Sequence, residues 1–415
     1  MMPQLIDKKK KIYIYFFLLF FLSTIFNFNI KNFFEKNFKI INLESDDDFQ
    51  VIELNNLINQ NILNLNKNDI IEAMLKEIYI RSKEYNGIVE TIYFGGGTPS
   101  LLETEEIFKL IEMVFKNFKT SSYPEITLEA NPDDLSELKL KELSKTKINR
   151  LSIGVQSFLD NDLKMMNRAH KSNDSKNCIE NAKNYYDNIS IDLIYGMPKA
   201  DLKDWELNLD LAIEYNTNHI SAYALTVEPN TVLEKNVQKG IVKLLDEEMV
   251  FDQYKLMFNK LTSHNYINYE LSSFAKKGYF SNNNTAYWLR KNYLGIGPSA
   301  HSFDGISRSW NISNNSLYVK ALNSDKIFFE SEKLTKTDKY NEYIMTGLRT
   351  IWGVSKDYLK DNFGYKFEKH FTEKSEKYFD SNHLIQNNNI VTTTINGKFL
   401  SDRIASDLFI INSKS

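Results

Sequence analysis

Short apolar segments recur along the middle of the chain, and their spacing constrains the fold more than any other feature. The segments are residues 91–94, 126–130, 151–155, 189–195 and 220–225. Their midpoints lie about 25 to 40 residues apart, the length of one strand plus one helix. Apolar residues between them fall on single helical faces, as at positions 107, 110, 111, 114, 115 and 118. We therefore predict an α/β fold with a parallel sheet, and polar residues after the strands favour a closed or partly closed barrel.

The composition is that of a folded protein and excludes several classes. Of 415 residues, 42% are apolar and 25% are charged, so a sizeable core is available. Subtracting 54 acidic from 51 basic residues gives a net charge of −3, so no basic surplus predicts nucleic-acid binding. The single cysteine, Cys178, excludes a disulfide framework and a cluster held by several thiolates.

The first 40 residues predict a targeting segment. Lysines at positions 8–11 precede an apolar run that is too short for a full membrane span, and residues 27–39 are rich in Asn, Lys and Phe. This order fits a signal followed by a transit segment, hence a plastid-like or mitochondrial location and contact with a membrane or translocon. A cytoplasmic protein is the alternative, because an N-terminal strand or an error in a gene model from A+T-rich DNA would look similar.

Beyond the barrel and its extension, predicted for residues 41–310, the pattern changes. Residues 338–350, 355–362 and 367–379 predict helices, 390–395 a strand, Gly397 a turn and 400–408 a short helix. Helices followed by a small β-wing indicate a winged-helix-like α+β domain over residues 311–415. It carries no basic stripe, so a packing role is favoured over DNA binding.

Polar motifs follow the predicted strands in order. The first, Gly95–Ser100, has three consecutive glycines, which allow a close approach of the backbone to a ligand. A glycine-rich loop alone fits a tight turn equally well, but here further polar motifs accompany it. They lie at 129–132, 154–157, 167–170, 192–198 and 219–229.

With these motifs, the sequence resembles the radical S-adenosylmethionine family. Tyr287-Trp288, the segments 293–303 and 397–409, Arg308 with Asn311, and Glu342 with 347–349 resemble its haem-chaperone (HemW-like) branch more than the oxygen-independent coproporphyrinogen III dehydrogenases. The resemblance covers about residues 88 to 409. It implies a partial (βα)6 TIM-like barrel that holds S-adenosylmethionine across the carboxyl ends of its strands.

The resemblance also implies which residues hold this cofactor. Backbone groups of Gly96, Gly97 and Thr98 suit its ammonium and carboxylate groups. Glu129 would neutralise the ammonium, and Arg168 would pair with the carboxylate. The ribose hydroxyls would be bound by Gln156 and Asp192. Each residue also has an ordinary alternative: a solvated acid, a surface ion pair or a turn residue.

One departure from the family concerns its 4Fe-4S cluster. The family binds three irons through a C-x3-C-x2-C motif near the first strand, whereas this chain has only Cys178, within a helix-like stretch at 173–186. The sequence therefore predicts no metal ligands and supports no radical generation by this chain. Either the loop has been lost, leaving a cluster-free binding protein, or the gene model omits an exon; the intact pocket motifs favour the second explanation.

A second departure concerns haem. The chaperone branch carries H-N-x-x-Y-W, with the histidine implicated in haem binding, but Asn283 stands at that position. His301 is a candidate substitute, and Tyr287 and Trp288 would either stack on a porphyrin or belong to the core. We expect haem handling with an acceptor protein that the sequence does not identify. The alternatives are oxidative decarboxylation of coproporphyrinogen III, with unknown catalytic residues, and the cluster-free binding protein.

Overall fold

The computed structural model describes residues 49–54, 67–85, 87–229 and 231–411. The predicted targeting segment, residues 1–40, lies outside these ranges. In the described part, no helix has the length and apolar character needed to cross a membrane. The elements group into two compact units. The first comprises described residues up to Leu128, Thr146–Ile148 and the chain from Ser281 onwards; the second comprises Glu129–Lys145 and Asn149–Phe280.

The strands and helices alternate through the first half of the chain. They are β1 (Phe49–Leu54), α1 (Lys67–Arg81), β2 (Ile88–Phe94), α2 (Thr104–Asn117), β3 (Lys119–Ala130), α3 (Glu137–Leu143), β4 (Arg150–Gln156), α4 (Asp160–Met165), α5 (Ser172–Lys183), β5 (Asn188–Tyr195), α6 (Leu202–Glu214), β6 (His219–Ala224), α7 (Val232–Gln238), α8 (Glu247–Ser263), β7 (Ile267–Asn268) and β8 (Ser273–Ala275).

The remaining elements follow in the same way. They are α9 (Asn282–Trp288), β9 (Asn292–Ile296), β10 (His301–Phe303), β11 (Ser307–Asn311), α10 (Asn315–Asn323), β12 (Phe329–Lys333), α11 (Lys336–Leu348), β13 (Val354–Ser355), α12 (Lys356–Tyr358), a π-helical segment (Leu359–Phe363), α13 (Tyr365–Asp380), β14 (Leu384–Asn387), β15 (Ile390–Thr393), α14 (Ile395–Phe399) and α15 (Ser401–Leu408).

The sheet of the first unit combines parallel and antiparallel strands. β1 pairs in parallel with β2 and β9, and β2 pairs in parallel with β3. From β9 the sheet continues antiparallel through β10, β11 and β12. Helix α2 begins at the Glu103 capping box and buries Ile107, Leu110, Ile111 and Val114, the helical face predicted from the sequence.

The second unit contains the parallel strands β4, β5 and β6, followed by the antiparallel β8 and β7. Along β4–β6, alternate side chains form two contrasting faces. One face is apolar, with Leu151, Ile153, Ile191 and Ile220 all buried. The other is polar and is built from paired positions on neighbouring strands, namely Arg150, Ser152, Ser190, Asp192, His219 and Ser221. Since strand side chains alternate with a period of two, this pattern fixes the register of all three strands.

The C-terminal residues of the first unit form an α+β subdomain. β13, β15 and β14 make an antiparallel sheet, and a buried cluster includes Tyr340 and Ile344 of α11, Phe371 of α13 and Ile404 of α15. The predicted turn at Gly397 is wrong, because Gly397 lies within α14, where Thr394 caps its N–H. A Cβ at Gly397 would lie 1.9 Å from the His383 carbonyl oxygen, so only glycine fits there.

The predicted boundary between residues 310 and 311 falls inside β11, which pairs with β12. The division of the chain at that residue therefore stays a prediction.

A buried carboxylate joins α1 to the β9–β10 region of the first unit. Glu77 is fully buried and accepts hydrogen bonds from the Gly297 N–H at 2.9 Å, the Asn311 amide at 2.7 Å and the Tyr318 hydroxyl at 2.6 Å. Its carboxylate also lies 3.6 Å from the guanidinium of Arg81. Burial raises the pKa of Glu77, whereas Arg81 and the three donors favour the carboxylate.

We expect Glu77→Ala to lower the free energy of unfolding by about 3 to 5 kcal/mol, because it leaves a buried guanidinium and three buried donors without their acceptor. Glu84→Ala is the matched control. Glu84 also pairs with Arg81, but its side chain is 42% exposed, so its removal should cost less than about 1 kcal/mol. Urea unfolding measures both, and equal losses would contradict this account.

Candidate functional site

In the first unit, the glycine-rich segment after β2 has a conformation that requires glycine. Gly96 and Gly97 have φ angles of 73° and 72°, in the left-handed region that side chains with a Cβ rarely adopt. Gly96 is buried, Gly97 is exposed and Thr98 is half-buried. Thr98 then begins a short 3-10 turn, where its carbonyl accepts from Leu101 N–H at 3.1 Å. The segment thus presents main-chain polar groups with little side-chain cover.

In the second unit, Asp192 occupies the polar face of β5 and is half-buried. The Ser152 hydroxyl lies 3.4 and 3.5 Å from its two carboxylate oxygens. Burial raises the pKa of Asp192 to about 6. Arg150, hydrogen bonds from Ser221 and Ser152, and Arg168 act in the opposite direction. Near neutral pH the group is therefore a partly desolvated carboxylate, able to accept hydrogen bonds from a ligand.

Gln156 ends β4 in a strained conformation. Its φ is 66°, which is uncommon for a residue with a side chain, and the pairing of β4 with β5 is irregular between Ile153 and Gln156. The Gln156 amide nitrogen would lie 2.8 Å from a Cβ at Gly154, so the glycine leaves room for the glutamine to fold back. Strain of this kind is often found at ligand sites.

Buried hydrogen bonds hold the chain that follows Gln156. The Asn208 side-chain oxygen accepts from the Phe158 N–H at 2.6 Å, and the Ser157 hydroxyl donates to Asp162 at 2.8 Å. These contacts link the end of β4 to α4 and α6 and fix the backbone next to the strained residue.

Arg168 lies in the loop between α4 and α5 and is half-buried. Its N–H donates to the Leu163 carbonyl at 2.9 Å, after Asn167 adopts a φ of 55°. Burial lowers the pKa of Arg168, and the nearby Asp133 and Asp192 raise it. A partly desolvated guanidinium between carboxylates is a suitable site for a planar anion.

Glu129 is half-buried near the end of β3, and Asn131 follows it, with its amide 3.4 Å from Asp134. A Cβ at Gly154 would lie 3.7 Å from the Ala130 carbonyl oxygen and 3.8 Å from Asn131, so the ends of β3 and β4 are neighbours within this unit. The structure thus brings Arg168 near Asp192 and the end of β3 near Gln156.

The sequence prediction missed several residues of this region. Ser152 and Ser221 hydrogen-bond Asp192, Arg150 acts on it electrostatically, and Asp133 lies between Arg168 and His170, whose Nδ1 is 3.7 Å away. The signal that could have found the first three is the alternation along the strands, where polar residues recur at every second position.

The residues present do not fit a 4Fe-4S cluster. Cys178 is buried in α5, and burial raises the pKa of its thiol to about 12, so it remains protonated. Fe–S clusters need several thiolates, and the chain contains one cysteine. Among the described residues, no group of three or more His, Cys, Asp or Glu side chains could hold a metal ion.

At the position corresponding to the family's haem histidine, Asn283 is a buried residue of the first unit. The Thr91 hydroxyl lies 3.1 Å from its side-chain oxygen, and Glu125 accepts its N–H at 3.0 Å. Trp288 is buried and belongs to the core, whereas Tyr287 is half-buried and meets Tyr293 edge to face. Asn283 and Trp288 therefore serve packing.

His301, the candidate substitute, is half-buried on β10. Burial and the neighbouring Arg308 lower its pKa to about 4, whereas a hydrogen bond with the main chain of Ser299 acts in the opposite direction. Its ring is therefore neutral near pH 7, which is the form that binds iron.

Comparison with known proteins identifies related sequences. The Radical SAM superfamily model matches residues 63–212, and the HemN C-terminal domain model matches residues 334–400. The heme chaperone HemW of Bacillus subtilis (strain 168) is 34% identical over 320 residues, covering 76% of this chain and 84% of the relative. The mitochondrial radical S-adenosyl methionine domain-containing protein 1 of Bos taurus is 34% identical over 214 residues, 51% of this chain and 48% of that protein.

A solved structure confirms the predicted fold class. The coproporphyrinogen III oxidase HemN from Escherichia coli, described as a radical SAM enzyme, matches with a TM-score of 0.73, over 88% of this chain and 90% of that one. At 18% identity this likeness concerns the fold alone. The fold is thus the partial radical-SAM barrel with a C-terminal α+β domain. By its sequence relatives and its fold, the chain belongs to the radical SAM superfamily, in the HemW-like branch.

Proposed function

We propose that this protein binds haem and transfers it to an acceptor protein. The observation that carries the proposal is its similarity to heme chaperones HemW over most of their length, including 84% of the relative from Bacillus subtilis. The thiol count supports haem transfer over oxidative decarboxylation of coproporphyrinogen, because the latter needs radical chemistry that one protonated cysteine does not support.

The polar face of the second unit supports binding of S-adenosylmethionine as a ligand. Asp192 and Gln156 would accept and donate hydrogen bonds at the ribose, Arg168 would pair with the carboxylate, and Glu129 would pair with the ammonium. Gly96, Gly97 and Thr98 remain proposed backbone contacts. When bound to a reduced cluster, this cofactor supplies radical chemistry; without one, the residues here bind and orient it.

His301 is the proposed axial ligand for haem iron. Its lowered pKa keeps the imidazole neutral, and a ring that donates one N–H to a main-chain carbonyl leaves the other nitrogen as a donor to iron. A neutral ring needs no proton loss before ligation at pH 7. The asparagine at position 283 cannot replace this function, since an amide is a poor iron ligand.

An organellar location is also proposed. The basic and apolar composition of residues 1–40 supports it, together with relatives that are named as mitochondrial proteins. Contact with a membrane or translocon during import would follow from such a segment.

Haem titration of the full chain tests the proposed function. We expect a Soret band with haem, transfer of that haem to apomyoglobin, and a loss of affinity of about tenfold in His301→Ala, roughly the value of one lost ligand. His264→Ala is the matched control, because His264 is an exposed histidine. An unchanged spectrum and affinity in His301→Ala would rule out this ligand, and no haem binding by the wild type would rule out the function.

Reconstitution with iron and sulfide tests the argument from the thiols. The chain as given should take up no 4Fe-4S cluster and show no cluster absorption or paramagnetic signal after reduction, since Cys178 is buried and protonated. Cys178→Ala should behave identically. A stoichiometric cluster would contradict the argument.

Calorimetry with S-adenosylmethionine tests the nucleoside pocket. We expect weak binding that Glu129→Gln reduces by roughly tenfold, because an amide does not neutralise the ligand's ammonium. Glu137→Gln makes the same chemical change at an exposed position of the same unit and should leave the affinity unaltered. Equal affinities of the wild type and Glu129→Gln would exclude the proposed contact.

A further inference from the structure

Arg150 is a buried charge for which the proposed function has no role. It is the first residue of β4 and only 2% exposed, and its Nε has no hydrogen-bond partner within the part of the chain that the structure describes. Burial of an ion is costly unless an opposite charge compensates for it. A group that the guanidinium stabilises must therefore lie on the polar face of β4–β6.

His219 is close to Arg150 but cannot be its counterion. It is fully buried between the Ser190 hydroxyl and the Tyr269 hydroxyl, each 2.7 Å from a ring nitrogen. Burial, with a further contribution from Arg150, holds the pKa of His219 well below its usual value. The ring is neutral at physiological pH, so it contributes no charge to balance the guanidinium.

Asp192 is the acid on which Arg150 acts. Among the groups that favour its ionised form, Arg150 has the largest effect, ahead of the hydrogen bonds from Ser221 and Ser152 and the charge of Arg168. Burial acts against ionisation, and the outcome is a carboxylate with a pKa of about 6. Without the guanidinium, burial would protonate Asp192 at a higher pH.

Ionisation matters because of the ligand chemistry. A carboxylate accepts hydrogen bonds at both oxygens, so it can take two vicinal hydroxyl donors, whereas a protonated acid has lost part of that capacity. We propose that Arg150 is a positioning residue that keeps Asp192 ionised to accept the hydroxyls of a ribonucleoside. This role rests on the proposed nucleoside binding and names the ribose as the part of the ligand that is controlled.

The other groups facing Asp192 come from each neighbouring element. They are Ser152 of β4, Arg168 of the α4–α5 loop, and Ser221 and Tyr223 of β6. Burial, Asp192 and Glu270 raise the pKa of Tyr223 well above its usual value, so its phenol stays neutral. Arg168 remains positively charged. Asp192 is therefore the group of this set expected to titrate between pH 5 and 8.

Adenosine is the probe that isolates this contact, because it carries the ribose but lacks the amino-acid group that Glu129 and Arg168 would bind. Calorimetry of the full chain between pH 5 and 8 should show affinity falling as the pH drops through about 6, the pKa of Asp192. In Arg150→Gln the midpoint should rise by about one pH unit, so that affinity at pH 7 falls about twofold. Arg150→Lys should stay near the wild type, since it restores the charge.

Three further variants complete the test. Asp192→Asn should bind weakly and without pH dependence, and Arg403→Gln, an exposed arginine, should match the wild type. Arg150→Met keeps the aliphatic length of the buried side chain and serves as a second charge-free variant if Arg150→Gln does not fold. A wild-type midpoint in the charge-free variants would overturn the positioning role while leaving nucleoside binding intact.

Carbon NMR of the ligand-free protein separates the two proposals. The Asp192 carboxyl signal, identified by its loss in Asp192→Asn, should titrate at a higher pH in Arg150→Gln than in the wild type. An unchanged titration would overturn the role of Arg150, whatever the ligand. Absence of adenosine binding by the wild type would instead overturn the nucleoside site, and the positioning role with it.

Discussion

The alternation of polar and apolar side chains along β4, β5 and β6 is the constraint on which the rest of the second unit depends. Leu151, Ile153 and Ile191 bury one face, and a shift of one residue in any strand would expose them and bury charges. The hydrophobic effect thus selects a register that places Ser152 beside Asp192. Binding groups are aligned as a consequence of core formation, at no separate conformational cost.

Desolvation gives those groups their chemistry. An exposed aspartate would have an ordinary pKa and would be hydrated, whereas Asp192 is held near a pKa of 6 by the balance of burial against Arg150 and its hydroxyl partners. The same balance, with the sign reversed, lowers the pKa of Arg168 and of His301. Stability and function are therefore linked, because each group that is kept ready for a ligand costs folding free energy that the apolar face must offset.

The sequence predicts the strands well because their signal is local. The apolar segments became β2 to β6, and the helical face of residues 107–118 became α2. Gly397 was wrong because a close approach to His383, which only the tertiary structure shows, mimics the pattern of a turn. Arg150 escaped notice for a related reason: its role depends on a strand neighbour 42 positions away, Asp192, whose burial the sequence does not reveal.

The missing thiols and the retained pocket have different physical costs, and this difference explains how they can separate. Cluster ligands contribute little to a barrel core, so their loss leaves the hydrophobic face and its register intact. Asp192, Gln156 and Arg150 lie within or at the end of core strands, where substitution would disturb packing and paired charges. A nucleoside-binding surface built into strand register is therefore retained for structural reasons even where the chain does not support radical chemistry. Haem transfer by a neutral imidazole on β10 needs no electron from a cluster, so it is compatible with this loss.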